Sequence, residues 1–164
     1  METVDGMYSI RDIYRVGRGP SSSHTMGPAY ACHRAMREAP GADAFEVTLL
    51  GSLAKTGRGH RTDYAIEKSF GDIPVRIRFD TERADLPHPN TMEITALRAG
   101  KPFWHKTFLS VGGGAVEVPG EPAPEERTVY RENHFREIED VCARENLTLP
   151  AYVERQEGAG IRTY

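Results

Sequence analysis

The stretch that decides the fold runs from Gly27 to Phe70, GPAYACHRAMREAPGADAFEVTLLGSLAKTGRGHRTDYAIEKSF. Proline suits a first helical turn, and Pro40-Gly41 closes the far end, so Pro28 to Glu38 reads as a helix. Phe45 to Leu50 is a short apolar run rich in β-formers and reads as a buried strand. GSLAKTGRGH is turn-forming, and a second helix follows from Thr62 to Phe70. The order is helix, strand, helix.

Upstream, Ser9 is placed to cap a short helix, Ile10 to Val16, with Asp12 completing an imperfect capping box. Gly17, Gly19 and Pro20 stop that helix, and the polar run Ser21 to Thr25 then feeds directly into the next one. Downstream, IPVRIRFD alternates apolar and charged side chains, the pattern of a half-buried strand that Pro74 restricts to a sheet edge. MEITALRA and KPFWHKTFLSV flank Gly100 as a hairpin would, and GGGAVEV offers a last strand. The fold class is therefore α+β: helix, strand, helix, then three or more strands, with a mixed sheet packed against helices. Residues 1–118 form the globular domain, and 119–134, opening on PGEPAP, is a linker. Residues 135–164 are helical, from the apolar spacing Phe135, Ile138, Val141/Cys142 and a short helix over Leu149 to Glu157.

Composition narrows the function. With 164 residues, 38% hydrophobic and 27% charged, and a net charge of -3, the chain is an ordinary globular domain. It has no basic excess to hold a phosphate backbone, so nucleic acid is not the expected partner. No run reaches the roughly 18 apolar residues of a membrane helix. METVDGMYSI lacks the basic start and apolar centre of a secretory leader, so a cytoplasmic location is expected. Cys32 and Cys142 have no CxxC partner and read as buried thiols, with no metal expected on this chain.

Four stretches are richer in polar residues and glycine than a fold of this size requires. GPSSSHTMGP sets Ser21, Ser22, Ser23, His24 and Thr25 before a helix whose free N–H groups attract an anion; N-capping in a solvated turn is the plainer alternative. TGRGHRTD places His60 between a glycine turn and a helix start, where an imidazole serves as a general base once its tautomer is fixed; a structural histidine is the alternative. Asp63 either orients His60 or biases the first turn of its helix, and the spacing does not separate the two. HPNTM holds His88 and Asn90 ahead of a strand. SVGGG allows either a close approach of backbone to a ligand or a hairpin hinge. Ser23 beside His24 does not make a catalytic dyad by adjacency, because neighbouring side chains usually diverge. No phosphate-binding loop pattern is matched.

SIRDIYRVGRGPSSSHTMGP, GSLAKTGRGHRTD, HPNTM and SVGGG, in that order, resemble the β part of the iron-sulfur-dependent L-serine dehydratases, or L-serine ammonia-lyases. The resemblance spans Ser9 to Val118. It implies a fold like the allosteric substrate-binding domain of some phosphoglycerate dehydrogenases. It also implies a reaction in which L-serine loses water to give aminoacrylate, which hydrolyses to pyruvate and ammonia. His60 falls on the position proposed in the family as the base near the substrate Cα. His24 falls with Ser21, Ser22, Ser23 and Thr25 on the loop facing the pocket, and Asp63, His88 and Asn90 join the substrate-binding set. The family's 4Fe-4S cluster needs three or four cysteine thiolates, which two unspaced cysteines do not supply. The resemblance therefore implies a cluster-bearing α part, on a separate chain or after residue 164, as the partner, with residues 135–164 leading towards it and a dimer as the assembly. Two departures from the family are expected: these residues read as carrying no added ACT-type domain, and VYRENHF stands in place of a PYPF-like segment. The rival expectation is a non-catalytic module that binds serine or another small carboxylate.

Overall fold

The computed structural model describes residues 6–13, 17–122 and 128–158. The chain divides into two compact units, Val16–Ala123 and Met1–Arg15 with Pro124–Tyr164. The second begins with β1 (Met7–Tyr8) and α1 (Ile10–Ile13) and is completed by elements from the other end of the chain.

In the larger unit a π-helical turn, Ser22–Met26, runs straight into α2 (Gly27–Glu38). β2 (Ala44–Leu50), α3 (Gly51–Thr56), α4 (Thr62–Phe70) and β3 (Val75–Asp80) follow, then β4 (Thr91–Arg98), β5 (Lys101–Gly112) and β6 (Ala115–Glu117). The five strands form one mixed sheet in the order β3-β2-β4-β5-β6, parallel between β2 and β3 and antiparallel elsewhere. This is the α+β architecture the residue pattern predicts. β3 takes the edge, as Pro74 requires, and the Pro74 carbonyl still accepts the Phe45 N–H at 2.9 Å. Ala99 and Gly100, both at positive φ, make the two-residue β4–β5 turn.

Alternation along the strands decides which face is covered. Phe45, Val47 and Leu49 of β2, Met92, Ile94 and Ala96 of β4, and Phe108 of β5 point to one side, against Ala31, Cys32 and Ala35 of α2 and Ile66 and Phe70 of α4. Glu46, Arg76 and Arg78 point to the other and are exposed. Phe45 and Phe70 stack with ring centroids 4.4 Å apart. A nine-residue helix such as α4 is marginal in water by itself. Each large apolar side chain withdrawn from water contributes about 1.5–3 kcal/mol, so this one-sided core holds α2 and α4 in place.

The expected turn GSLAKTGRGH is half helical: its first six residues form α3. In the smaller unit β7 (Thr128–Tyr130) pairs antiparallel with β1, within the stretch read as a linker. α5 (Phe135–Glu145) and α6 (Leu149–Glu157) match the expected helices and pack Ile138, Val141 and Tyr152 with Tyr130. Ser9 caps α1 by accepting the Arg11 N–H at 3.1 Å; the expected end of that helix, 14–16, lies outside the described residues.

Candidate active site

Helical backbone begins at Ser22 rather than at Pro28, which alters the expected anion site. The donors left open by a helix start are those of its first turn. Here they belong to the serine run, not to α2, and the His24 N–H is already taken by Ser21 Oγ at 3.3 Å. Thr25 is buried, and its hydroxyl contacts the Arg18 carbonyl at 2.5 Å and the Ser21 carbonyl, which ties the loop to itself. The Ser22 side chain is half-buried, and its carbonyl accepts from Gly27.

Two close approaches bring the remaining stretches to this turn. Ser110 on β5 donates its hydroxyl to the Ser23 carbonyl at 2.8 Å, and a Cβ on Gly27 would stand 2.1 Å from Ser110 Oγ. Gly51, at φ +56, lies where a Cβ would meet the Pro89 carbonyl at 2.3 Å, and that carbonyl accepts the Ser52 N–H at 2.7 Å. Asn90 bonds Ser110 through its backbone carbonyl (2.9 Å) and its amide nitrogen (3.3 Å). His88 Nδ1 accepts the Asn90 N–H at 3.0 Å. All four polar stretches therefore lie in one connected network.

His24 is at its centre. The ring is buried, with Nδ1 3.0 Å from Ser23 Oγ and Nε2 2.9 Å from Thr56 Oγ1 and 3.3 Å from Ser52 Oγ. The Ser23 and His24 side chains thus meet, contrary to the divergence expected of neighbours. They lie in the π-helical turn Ser22–Met26, where the Ser23 hydroxyl turns onto the ring of the next residue. His60 is half-buried, its ring centroid 4.6 Å from that of His24, and its Nδ1 lies 3.0 Å from the Thr56 carbonyl. Burial pushes the His24 pKa below its ordinary value; the neighbouring His60 adds to this, and hydrogen bonding at Ser52 opposes it.

Asp63 accepts the Tyr64 N–H at 2.9 Å in the first turn of α4, and the Thr56 carbonyl, not Asp63, orients His60. Ser52, Thr56 and Ser110 lie in stretches the sequence brings forward, GSLAKTGRGHRTD and SVGGG, but none of the three has a role of its own there. The available signal was the i, i+4 spacing of Ser52 and Thr56, which puts both hydroxyls on one face once GSLAKT is helical. Between Gly51 and Thr62 stand Lys55, Arg58 and Arg61 with no acidic residue, and among the described residues none of the three is in an ion pair. All three are exposed, with Arg58 over the Phe79 ring and Arg61 over the Tyr64 ring.

The family described as the serine dehydratase beta chain matches residues 9–73, which contain the serine loop, both histidines, Ser52 and Thr56. The chain carries a serine dehydratase beta-chain domain. It is 30% identical to an L-serine dehydratase of Haemophilus influenzae over 92% of this chain and 43% of that protein. It is 44% identical to one of Helicobacter pylori over 93% and 43%. It is 31% identical to the L-serine dehydratase TdcG of Escherichia coli over 67% and 33%. The chain thus spans a third to about two-fifths of the length of these relatives.

The iron-sulfur cluster implied by the resemblance does not fit the residues of this chain. Cys32 is wholly buried among apolar side chains, where burial pushes its thiol pKa up and so disfavours the thiolate a cluster requires. Cys142 is half-buried on α5 in the other unit. Among the described residues no group of three or more His, Cys, Asp or Glu could hold a metal ion, and no helix is long and apolar enough to cross a membrane.

Proposed function

We propose that the chain is the β portion of an iron-sulfur L-serine ammonia-lyase. In this reading it contributes a proton-transferring histidine and a site-shaping hydroxyl loop to the conversion of L-serine into pyruvate and ammonia. The observation that carries the reading is the pair of imidazoles 4.6 Å apart, one buried and one half-buried, joined to the serine loop through shared hydroxyls. Removing water from serine needs a base for the Cα proton and donors for the carboxylate. His60 takes the proton, His24 holds the hydroxyl network around it, and Ser21, Ser22, Ser23 and Thr25 shape the pocket. Asp63, His88 and Asn90 set its borders, Asp63 through the start of α4, Asn90 through its bonds to Ser110, and His88 by accepting the Asn90 N–H. Loss of the β-hydroxyl then gives 2-aminoacrylate, which hydrolyses.

The cluster belongs, in this reading, to an α part on another segment of polypeptide, and the complete enzyme is a cytoplasmic dimer. The test combines the full chain with a cluster-bearing α partner under anaerobic conditions and follows pyruvate from L-serine. His60→Ala should abolish turnover while leaving the fold intact. Undiminished pyruvate formation by His60→Ala would overturn the assignment. Serine binding by the chain alone, without turnover in the reconstituted complex, would favour a sensing module instead.

A further inference from the structure

Thr56 touches both histidines, through different atoms. Its side-chain oxygen stands 2.9 Å from His24 Nε2 and 2.9 Å from the Ser52 carbonyl, and its backbone carbonyl stands 3.0 Å from His60 Nδ1. A carbonyl oxygen accepts and never donates, so these contacts limit where the protons can be. The Thr56 hydroxyl has one proton, and it meets the Ser52 carbonyl only by donating that proton there; Thr56 Oγ1 then accepts from His24, whose proton is on Nε2, with Ser52 Oγ a second, longer acceptor at 3.3 Å from the same nitrogen. His24 Nδ1 then carries the lone pair and accepts from Ser23 Oγ at 3.0 Å. By the same logic His60 carries its proton on Nδ1, held by the Thr56 carbonyl, and its basic nitrogen is Nε2.

We infer that Thr56 is a positioning residue that fixes opposite tautomers on His24 and His60, directing the basic nitrogen of His60, Nε2, to the substrate proton and that of His24, Nδ1, to Ser23. The inference rests on the lyase reading for its consequence in turnover but not for the tautomers themselves. A base presents the correct nitrogen only when its tautomer is held, and loss of that hold slows proton transfer without removing the base. The α3 helix supplies the hold because Ser52 and Thr56 lie four residues apart on it, and Gly51 lets the helix start against Pro89.

The experiment uses the full chain labelled with nitrogen-15, at a pH where both rings are neutral, and reads tautomers from long-range proton–nitrogen spectra. The expected result is Nε2–H on His24 and Nδ1–H on His60. Thr56→Val, which keeps the branched shape and the carbonyl, should turn His24 into a tautomer mixture and leave His60 on Nδ1–H; Thr56→Ser should restore the original spectrum. In the reconstituted complex Thr56→Val should lower kcat at least about tenfold with KM little changed, and Thr56→Ser should recover most of it. A wild-type His24 protonated on Nδ1, or an unchanged His24 tautomer in Thr56→Val, would overturn the inference. Confirmed tautomers together with no pyruvate from the wild-type reconstituted complex would sink the lyase reading alone.

Discussion

The His24 ring lies 4.6 Å from the His60 ring with their planes inclined at 32°, the buried imidazole against the half-buried one. Burial makes the charged His24 ring costly, and a cationic His60 at that separation would add repulsion, so the His24 pKa lies below that of an ordinary histidine. Because its folded-state pKa lies below the unfolded value of about 6.5, His24 contributes stability above that pH and loses it as the pH falls further. The expected titration, followed through the ring protons by NMR, has His24 charging at lower pH than a free histidine. His60→Ala removes one of the two causes and should move the His24 midpoint upward; a midpoint that stays in place would show that the rings are not coupled.

Gly27 has ordinary helical backbone angles, so alanine there has no conformational objection and would gain about 1 kcal/mol of helix propensity. The contact opposes it: the new Cβ would lie 2.1 Å from Ser110 Oγ and 3.0 Å from Ser110 Cβ. Overpacking of this kind costs about 1–3 kcal/mol. Gly27→Ala should therefore lower the denaturation midpoint despite its propensity. Adding Ser110→Gly should recover part of the loss in a double-mutant cycle, since it removes both contacting atoms.

Most of the fold could be read from the residues because it follows from local pattern. The helices Thr62–Phe70 and Leu149–Glu157 begin and end where capping, proline and periodicity place them, and Gly100 marks its hairpin turn. The features that escaped depend on contacts distant in sequence. α3 is too short to show a helical period, and its start depends on the Pro89 carbonyl approaching Gly51. β7 is three residues long and exists through pairing with β1, more than a hundred residues away. At the site, His24 and His60 could be nominated from their loops, but the residue that joins them is Thr56, through its hydroxyl and its carbonyl, and a turn reading of GSLAKT left it without a role.

Glu157 joins the two ends of the smaller unit. Its side chain is 1% exposed, and it accepts from Ser9 Oγ at 2.6 Å, Tyr130 OH at 2.7 Å and the Ile10 N–H at 2.8 Å. Burial pushes the carboxyl pKa up, but these hydrogen bonds outweigh it and hold the group below its ordinary value. The stability it contributes is thus present above the unfolded carboxylate pKa of about 4.3 and lost as the pH falls through the folded value. Glu157→Ala leaves three donors without their acceptor and should cost about 2–4 kcal/mol. Faster amide exchange around Ile10 and Tyr130 would report it; unchanged protection there would show that the carboxylate does not hold the ends together.

The serine run separates by geometry into unequal members. Ser23 Oγ is 3.0 Å from His24 Nδ1 and 3.4 Å from Ser21 Oγ, and its carbonyl receives the Ser110 hydroxyl at 2.8 Å, whereas the described contacts of Ser22 run through its backbone. Ser23→Ala would leave a buried ring nitrogen without its donor, a loss of about 1–3 kcal/mol in whichever state needs that bond. If His24 acts in the lyase through that bond, Ser23→Ala should reduce pyruvate formation by the complete enzyme more than Ser22→Ala does, by about tenfold or more. Ser110→Ala, which frees the Ser23 carbonyl but keeps both hydroxyls of the pair, should fall between them. Equal losses for Ser22→Ala and Ser23→Ala would mean that the loop acts through its backbone donors and that the hydroxyl–imidazole contact has no part in turnover.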